Sequence, residues 1–255
     1  MRSDIQNQTR GLDKEGFIEN LYSPRNIAPE FQDAVNAVID SLLSDLPNQI
    51  DGIYLYGSVP RGTAVVGRSD LDVSIVLNTP IGQKEKRVFK HLSDCIPKAY
   101  PQVSKLDIDP GCLSEVLQPQ EKFHWQFWLK HCCCCIWGND LSTEFPRYKP
   151  SIEIAQTLNG DLSTFLEQMS PAFKTMTNAD VAKVVGKKLV RAAYYFVAEK
   201  DGSWYTNLSQ CSAVAKRYYP EQSGDIELAH QYALGQLTSK VEALDLYERL
   251  SKNLS

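Results

Sequence analysis

The sequence is poor in several features, and each shortage excludes a class of protein. No apolar run approaches the ~18 residues of a membrane-spanning helix, and mean hydropathy is −0.32. The opening residues, MRSDIQNQTRGLDKEG, hold no apolar segment of the kind that marks a secretory leader. A cytoplasmic protein that does not enter membranes is therefore expected. Basic charge is also short: 27 Lys and Arg against 31 Asp and Glu give a net charge of −4. Bulk attraction to nucleic acid is excluded on that balance. Repeats and low-complexity tracts are missing. Gly186-Lys187-Lys188 is not a phosphate-binding P-loop, because the upstream glycine and the following Ser or Thr are absent. His91, His124, His131 and His230 show no zinc-ligand or triad spacing.

What is present is ordinary for a globular chain. The 255 residues are 43% hydrophobic and 23% charged, enough for one large domain or two modest ones. Seven cysteines include four in a row, Cys132 to Cys135. Successive strand residues point to opposite faces, so four neighbours cannot all ligate one metal. Buried packing of small apolar side chains is the expected role, ahead of zinc binding or redox sensing.

Periodicity divides the chain in two. Residues 1–27 are polar and irregular, a loose arm or an edge element. Pro29 suits a helix start, and Phe31, Val35, Val38, Ile39, Leu42 and Leu46 recur at helical spacing over 29–46. Ile53–Tyr56 and Asp70–Leu77 read as strands, 83–99 as a second helix, and 103–109 as an alternating strand broken at Pro110-Gly111. Within that strand Val103, Lys105, Asp107 and Asp109 share one side. Phe123, Trp125, Phe127 and Trp128 fit core packing better than base stacking, since no basic stripe is interleaved with them. Beyond about residue 150 only helical periodicity is left. One stripe covers Ile154 to Met169, another Val181 to Phe196 with Asn178 as N-cap, and shorter helices are expected near 206–219 and 225–252. The expected fold class is an α/β (α+β) core with a mixed sheet over 1–145, followed by an all-α helical bundle over 146–255.

The informative segment runs from Tyr56-Gly57-Ser58 to Arg68-Ser69-Asp70-Leu71-Asp72. Gly57 lets the chain turn sharply at a strand end and lets a ligand approach the backbone. If a helix begins there, its free amides suit phosphate, and Ser58 adds a hydroxyl. Asp70 and Asp72 are two apart on a strand, so both carboxylates face one side. Such a pair needs positive charge between them, and hard oxygen ligands suit Mg²⁺. A third acid, which the alternating Leu106-Asp107-Ile108-Asp109 offers, would complete a clamp for two Mg²⁺ ions and a triphosphate. The bland alternative is an ordinary Gly-Ser turn beside an edge strand with a solvated polar face.

Hydrophobic-Gly-Ser followed by Asp-hydrophobic-Asp resembles the nucleotidyltransferase superfamily typified by DNA polymerase β. The match is direct at Gly57-Ser58 and Asp70-Leu71-Asp72, and looser at Leu106-Asp107-Ile108. A core of this kind followed by helices is similar to the aminoglycoside adenylyltransferases that modify streptomycin and spectinomycin. Ile136-Trp137-Gly138-Asn139-Asp140-Leu141 looks like a passage these proteins carry between their halves. The resemblance implies transfer of a nucleoside monophosphate, most often AMP from ATP, to an acceptor hydroxyl with release of pyrophosphate. Asp70, Asp72 and Asp107 would be catalytic and, with Asp109, would hold metal. Gly57, Ser58, Arg61, Arg68 and Ser69 would contact the nucleotide, as would Lys187 and Arg191 from the helical part. The acceptor stays open between a small molecule such as an aminoglycoside, a tRNA or a protein; a silent nucleotide sensor is the other alternative. Oligomeric state and base preference are not legible.

Overall fold

The computed structural model describes residues 10–254, which form two compact units: 20–147, and 148–254 together with 10–19. Residues 10–19 thus belong with the helical residues that follow 147. Of the arm expected over 1–27, residues 1–9 lie outside the described part.

In the first unit, α1 (Pro29–Asp45) begins on a proline at its first turn and buries Phe31, Ala34, Val35, Val38 and Leu42. Strands β1 (Ile50–Tyr56) and β2 (Leu71–Leu77) follow, then α2 (Gln83–Ala99), β3 (Leu106–Cys112), α3 (Leu113–Val116), α4 (Trp125–His131) and β4 (Cys134–Gly138). The strands form one mixed sheet in the order β3-β2-β1-β4. β1 is antiparallel to β2 and β4, whereas β2 and β3 are parallel. Alternation along the strands gives the sheet two unlike faces. One, with Ile53, Leu55, Leu71, Val73, Ile75, Leu77 and Leu106, packs into the main core with α1 and α2. The other carries Tyr54 and Val76 against Trp125, Leu129, Cys133 and Leu141.

Several expectations are corrected here. β3 is not broken at Pro110-Gly111; it continues to Cys112, with Pro110 opposite Ile75 and Gly111 opposite Val76. As an edge strand it tolerates a residue without an N–H. Gly111 is needed because a Cβ there would lie 2.6 Å from the Trp125 ring. The cysteines do not form one strand: Cys132 ends α4 and β4 begins at Cys134. Cys133 and Cys134 are buried in different clusters on the two faces of the sheet. Burial pushes the thiols up, to about 12 at Cys134 and about 11 at Cys135, which keeps them protonated and unreactive.

The second unit is helical: α5 (Ile152–Asn159), α6 (Phe165–Phe173), α7 (Asn178–Asp201), α8 (Leu208–Tyr218), α9 (Ser223–Ala233) and α10 (Lys240–Leu250). The stripe from Ile154 to Met169 is thus two helices, and the segment expected at 225–252 is two as well, separated around Gly235 (φ +73°). The N-cap of α7 is Thr177, not Asn178: its hydroxyl accepts from the Asp180 amide. α7 is the central helix, buried along Val181, Val185, Leu189, Ala193 and Val197.

Residues 10–19 join this unit through specific contacts. Trp204 N donates to Arg10 O at 2.7 Å, and a Cβ at Gly11 would fall 1.9 Å from Trp204 O. Arg10 and Arg217 both pair with Asp201, at 3.0 and 2.9 Å. Burial alone would raise the Asp201 carboxyl, but the Ser203 hydroxyl and the two guanidiniums overcome it and hold the carboxyl low. A polar chain runs on inward, Ser203 Oγ donating to Asp201 and Tyr205 N donating to Tyr194 Oη.

Gly186 shows where packing outweighs propensity. A Cβ there would stand 2.5 Å from Ala233 N and 2.6 Å from Ala229 O on α9. Replacing a helical glycine by alanine normally gains about 1 kcal/mol. Here Gly186→Ala is expected to lose about 1–3 kcal/mol through overpacking. Urea unfolding monitored by circular dichroism measures it, and a gain in stability would contradict this packing.

Candidate active site

The turn after β1 is built around an absent side chain. Gly57 has φ +78°, and a Cβ on it would lie 1.9 Å from Asp72 Oδ2. Any other residue would both strain the backbone and collide with the carboxylate. No helix follows; residues 57–62 are turns, with Thr63 N donating to Ser58 O and Gly62 N to Val59 O. The conditional expectation of a helix N-terminus as the phosphate cradle is therefore not met. Arg61 lies in this turn and its Nε donates to Gly57 O at 3.0 Å, so it braces the loop. Ser69 Oγ accepts from Val65 N at 2.8 Å, closing the loop that presents the two aspartates. Arg68 is exposed.

Strand register places the acids. Tyr56 is opposite Asp72 and Asp72 opposite Asp107, which makes a row across three strands on one face. The next row is Tyr54, Ser74 and Asp109. Asp70 precedes β2 and sits at its mouth, accepting from Ser104 Oγ at 2.6 Å. Lys105 Nζ is 2.5 Å from Asp107 Oδ1. The Tyr56 hydroxyl is pushed up by burial and then by the charges of Asp72, Asp109 and Asp107, so these three carboxylates converge on its side of the sheet. Trp128 closes the floor: its ring meets Tyr56 edge-on at 5.0 Å and its Nε1 donates to Ser74 Oγ at 3.1 Å.

Asp109 is open to solvent at its rim, yet neighbouring atoms crowd it enough that burial raises its carboxyl; His124 opposes and Glu115 adds to the shift. His124 Nδ1 is 2.7 Å from Glu121 Oε2. Tyr56, Ser104 and Lys105 were not singled out as functional in the sequence, nor was His124. Lys105 was nevertheless legible through its alternation with Asp107.

The donor set fits Mg²⁺ in kind: Asp70, Asp72, Asp107 and Asp109 offer only hard carboxylate oxygens, and Asp72 occupies a recess that a Cβ would fill. Among the described residues no three His, Cys, Asp or Glu groups already stand as a coordination shell. Ser104 and Lys105 hold two of the acids instead. In the second unit Lys187 and Arg191 are one turn apart on α7. Lys188 pairs with Asp161, and Arg191 lies near enough to Cys211 to oppose the rise of its thiol.

Two tests follow from this geometry. A raised carboxyl on Asp109 means that stability falls as pH rises from the ordinary carboxylate range through the folded value. In metal-free buffer Asp109→Asn is then expected to raise the melting temperature at pH 7, with the gain fading toward pH 4; a constant or reversed difference would contradict the crowding. Gly57→Ala is expected to displace Asp72 and weaken Mn²⁺ binding by about tenfold or more, as removal of a supporting contact to a metal ligand does, read by the paramagnetic signal of free Mn²⁺.

Residues 35–129, which contain β1 to β3 and all four aspartates, match the family model for the nucleotidyltransferase domain. A search of curated proteins finds no match. Among solved structures, the spectinomycin adenyltransferase AAD(9) from Enterococcus faecialis, determined with ATP and spectinomycin, superposes with a TM-score of 0.60. It is 16% identical, over 88% of this chain and 98% of that one. A chain of the complex of tri-AMPylated Shewanella oneidensis HEPN toxin with MNT antitoxin is 15% identical over 56% of this chain and 95% of its own, with a TM-score of 0.28, too slight a likeness to use. The fold is thus that of the adenyltransferase, and residues 35–129, which match the nucleotidyltransferase domain, support a nucleotidyltransferase activity.

Proposed function

We propose that this enzyme transfers AMP from ATP to a hydroxyl of a small cationic acceptor of the aminoglycoside type, releasing pyrophosphate. The observation that carries the reading is the Asp72 carboxylate seated against Gly57 in one row with Asp107. That arrangement has little structural use, because adjacent carboxylates repel, and it suits a cation-bridged polyphosphate. Asp70, Asp72 and Asp107 would hold two Mg²⁺ ions, which when bound neutralise charge on the phosphate oxygens in an in-line displacement.

The chain's own groups do the rest. The Gly57 backbone and the Ser58 hydroxyl would contact the phosphates, and Arg61 and Ser69 keep that loop in place. A phosphate contact from Arg68 belongs to the same proposal. The acceptor oxygen forms a bond to the α-phosphorus while the bond to the bridging oxygen breaks, and pyrophosphate leaves with that electron pair. The hydroxyl proton passes to a carboxylate. Asp109 is suited to take it, since burial raises its affinity for a proton.

Acidic excess supports a cationic acceptor. Residues 1–140 hold 14 Lys and Arg against 18 Asp and Glu, a balance that attracts positive small molecules and repels nucleic acid. AAD(9), solved with spectinomycin, lends the same direction.

The test is label transfer from each α-labelled NTP, with Mg²⁺, into a panel of aminoglycosides and a fractionated cell extract. Label from ATP is expected in the small-molecule fraction, and Asp72→Asn should lower the rate by about a thousandfold or more, the scale of losing electrostatic stabilisation of the transition state. Label in the RNA or protein fraction would replace the acceptor class. Near-wild-type rates in Asp72→Asn would remove the mechanism.

A further inference from the structure

The cation nearest the acids has no role in the reading above. Lys105 Nζ lies 2.5 Å from Asp107 Oδ1, with 63% of the lysine side chain and 37% of the aspartate exposed. A pair so open to water contributes only about 0–1 kcal/mol to stability, so it is not what keeps β3 in place. Backbone bonds do that. Leu71 N donates to Lys105 O at 2.8 Å, and Ser104 N donates to Ser69 O at 3.0 Å. Lys105 is thereby fixed directly before Leu106, the register partner of Leu71, at the Asp70 end of the neighbouring strand. From that fixed base a flexible four-carbon stem can change partners without moving the backbone.

The pairing also sets up a competition. Asp107 Oδ1 cannot serve an ammonium and a divalent cation equally well. Once Asp107 turns to Mg²⁺, the ammonium is left over a site that has just received a polyanion. A compact charge with three donors suits phosphate oxygens, while a cationic acceptor would be repelled.

We propose that Lys105 is a polyphosphate-binding residue stored on Asp107: it neutralises that carboxylate in the empty site and moves to the phosphates of the donor, and then of the departing pyrophosphate, when the nucleotide is loaded. The inference rests on Asp107 being the third carboxylate of the proposed function. It gives Lys105 opposite effects on two ligands, which a merely structural residue could not have.

The experiment measures binding, without acceptor or turnover. Mn²⁺ affinity in the absence of nucleotide is read from the free-ion paramagnetic signal, and ATP affinity in the presence of Mg²⁺ by equilibrium dialysis. Lys105→Met is expected to bind Mn²⁺ about two- to fivefold more tightly, because a competitor worth up to about 1 kcal/mol is gone. The same variant should bind ATP about tenfold more weakly, the scale of one charge-assisted hydrogen bond, with Lys105→Arg restoring most of the loss. Unchanged or weaker Mn²⁺ binding, or unchanged ATP binding, in a Lys105→Met protein of wild-type melting temperature overturns the proposal. Asp107→Asn separates the two ideas. If it binds Mn²⁺ like the wild type, the assignment of Asp107 fails and this inference with it. If it is impaired while Lys105→Met is indistinguishable from wild type, only the stored-lysine inference fails.

Discussion

Close approach of the Asp72 carboxylate to the Cα of Gly57 is the constraint on which the site depends. With a Cβ-to-oxygen separation of 1.9 Å, no side chain fits at position 57 unless Asp72 moves. The carboxylate in turn fixes where β1 must end relative to β2. Once Tyr56 stands opposite Asp72, the parallel pairing of β2 with β3 carries the row on to Asp107. A one-residue slip would turn every acid to the opposite face, into the core formed by Leu71, Val73, Ile75 and Leu106. The hydrophobic face therefore enforces the register that aligns the acids, and the glycine lets that register close tightly.

The same face of the sheet concentrates negative charge, and the fold offsets it only in part. Asp70 is answered by a neutral hydroxyl from Ser104, Asp107 by Lys105, and Asp109 by the nearby charge of His124. Burial still raises the Asp109 carboxyl and the Tyr56 hydroxyl, so ionisation there is uphill. A cluster whose ionisation costs stability is a natural place for a cation and a polyphosphate to add it back. The second unit shows the contrasting case. Asp201 is almost fully covered yet held low by two guanidiniums and a serine, so its charge is already satisfied and nothing further is needed there.

Legibility in the sequence followed the reach of each physical rule. The helices at 29–45 and 83–99 were readable because an apolar stripe at helical spacing meets a single core. Gly57, Asp70 and Asp72 were readable because their chemistry is local. Alternation put Asp107 and Asp109 on one face, and the apolar neighbours Leu106 and Ile108 ranked Asp107 first through the family resemblance. The error at Pro110 arose because a proline excludes a central strand but not an edge one, and edge position is a property of sheet order, which the sequence does not display. Tyr56 and Trp128 looked like core residues, and by packing they are; their place beside the acids comes from register between strands far apart in sequence. The breaks at 160–164 and around Gly235 were hidden because both halves of each stripe keep the same spacing. Residues 10–19 escaped because their attachment runs through backbone bonds to Trp204 and an ion pair to Asp201, neither of which leaves a pattern along the chain.

Edge position also explains how the reacting and recognising parts can differ in rigidity. β1 and β2 are paired on both sides, so Asp72 is held by ladders that cannot shift without unmaking the sheet, and Gly57 follows directly on the end of β1. Among the described residues β3 has one neighbouring strand, β2, and its outer side is not paired. Its residues 105, 107 and 109 alternate toward the site from a strand anchored on one flank alone. Pro110 has no donor to offer on the unpaired flank, and Gly111 lets Trp125 pack against the backbone. The strand therefore combines a fixed register with a border that tolerates substitution. Charge at Lys105 and proton affinity at Asp109 can vary there at little cost to the core, while the geometry that holds Asp72 stays unchanged.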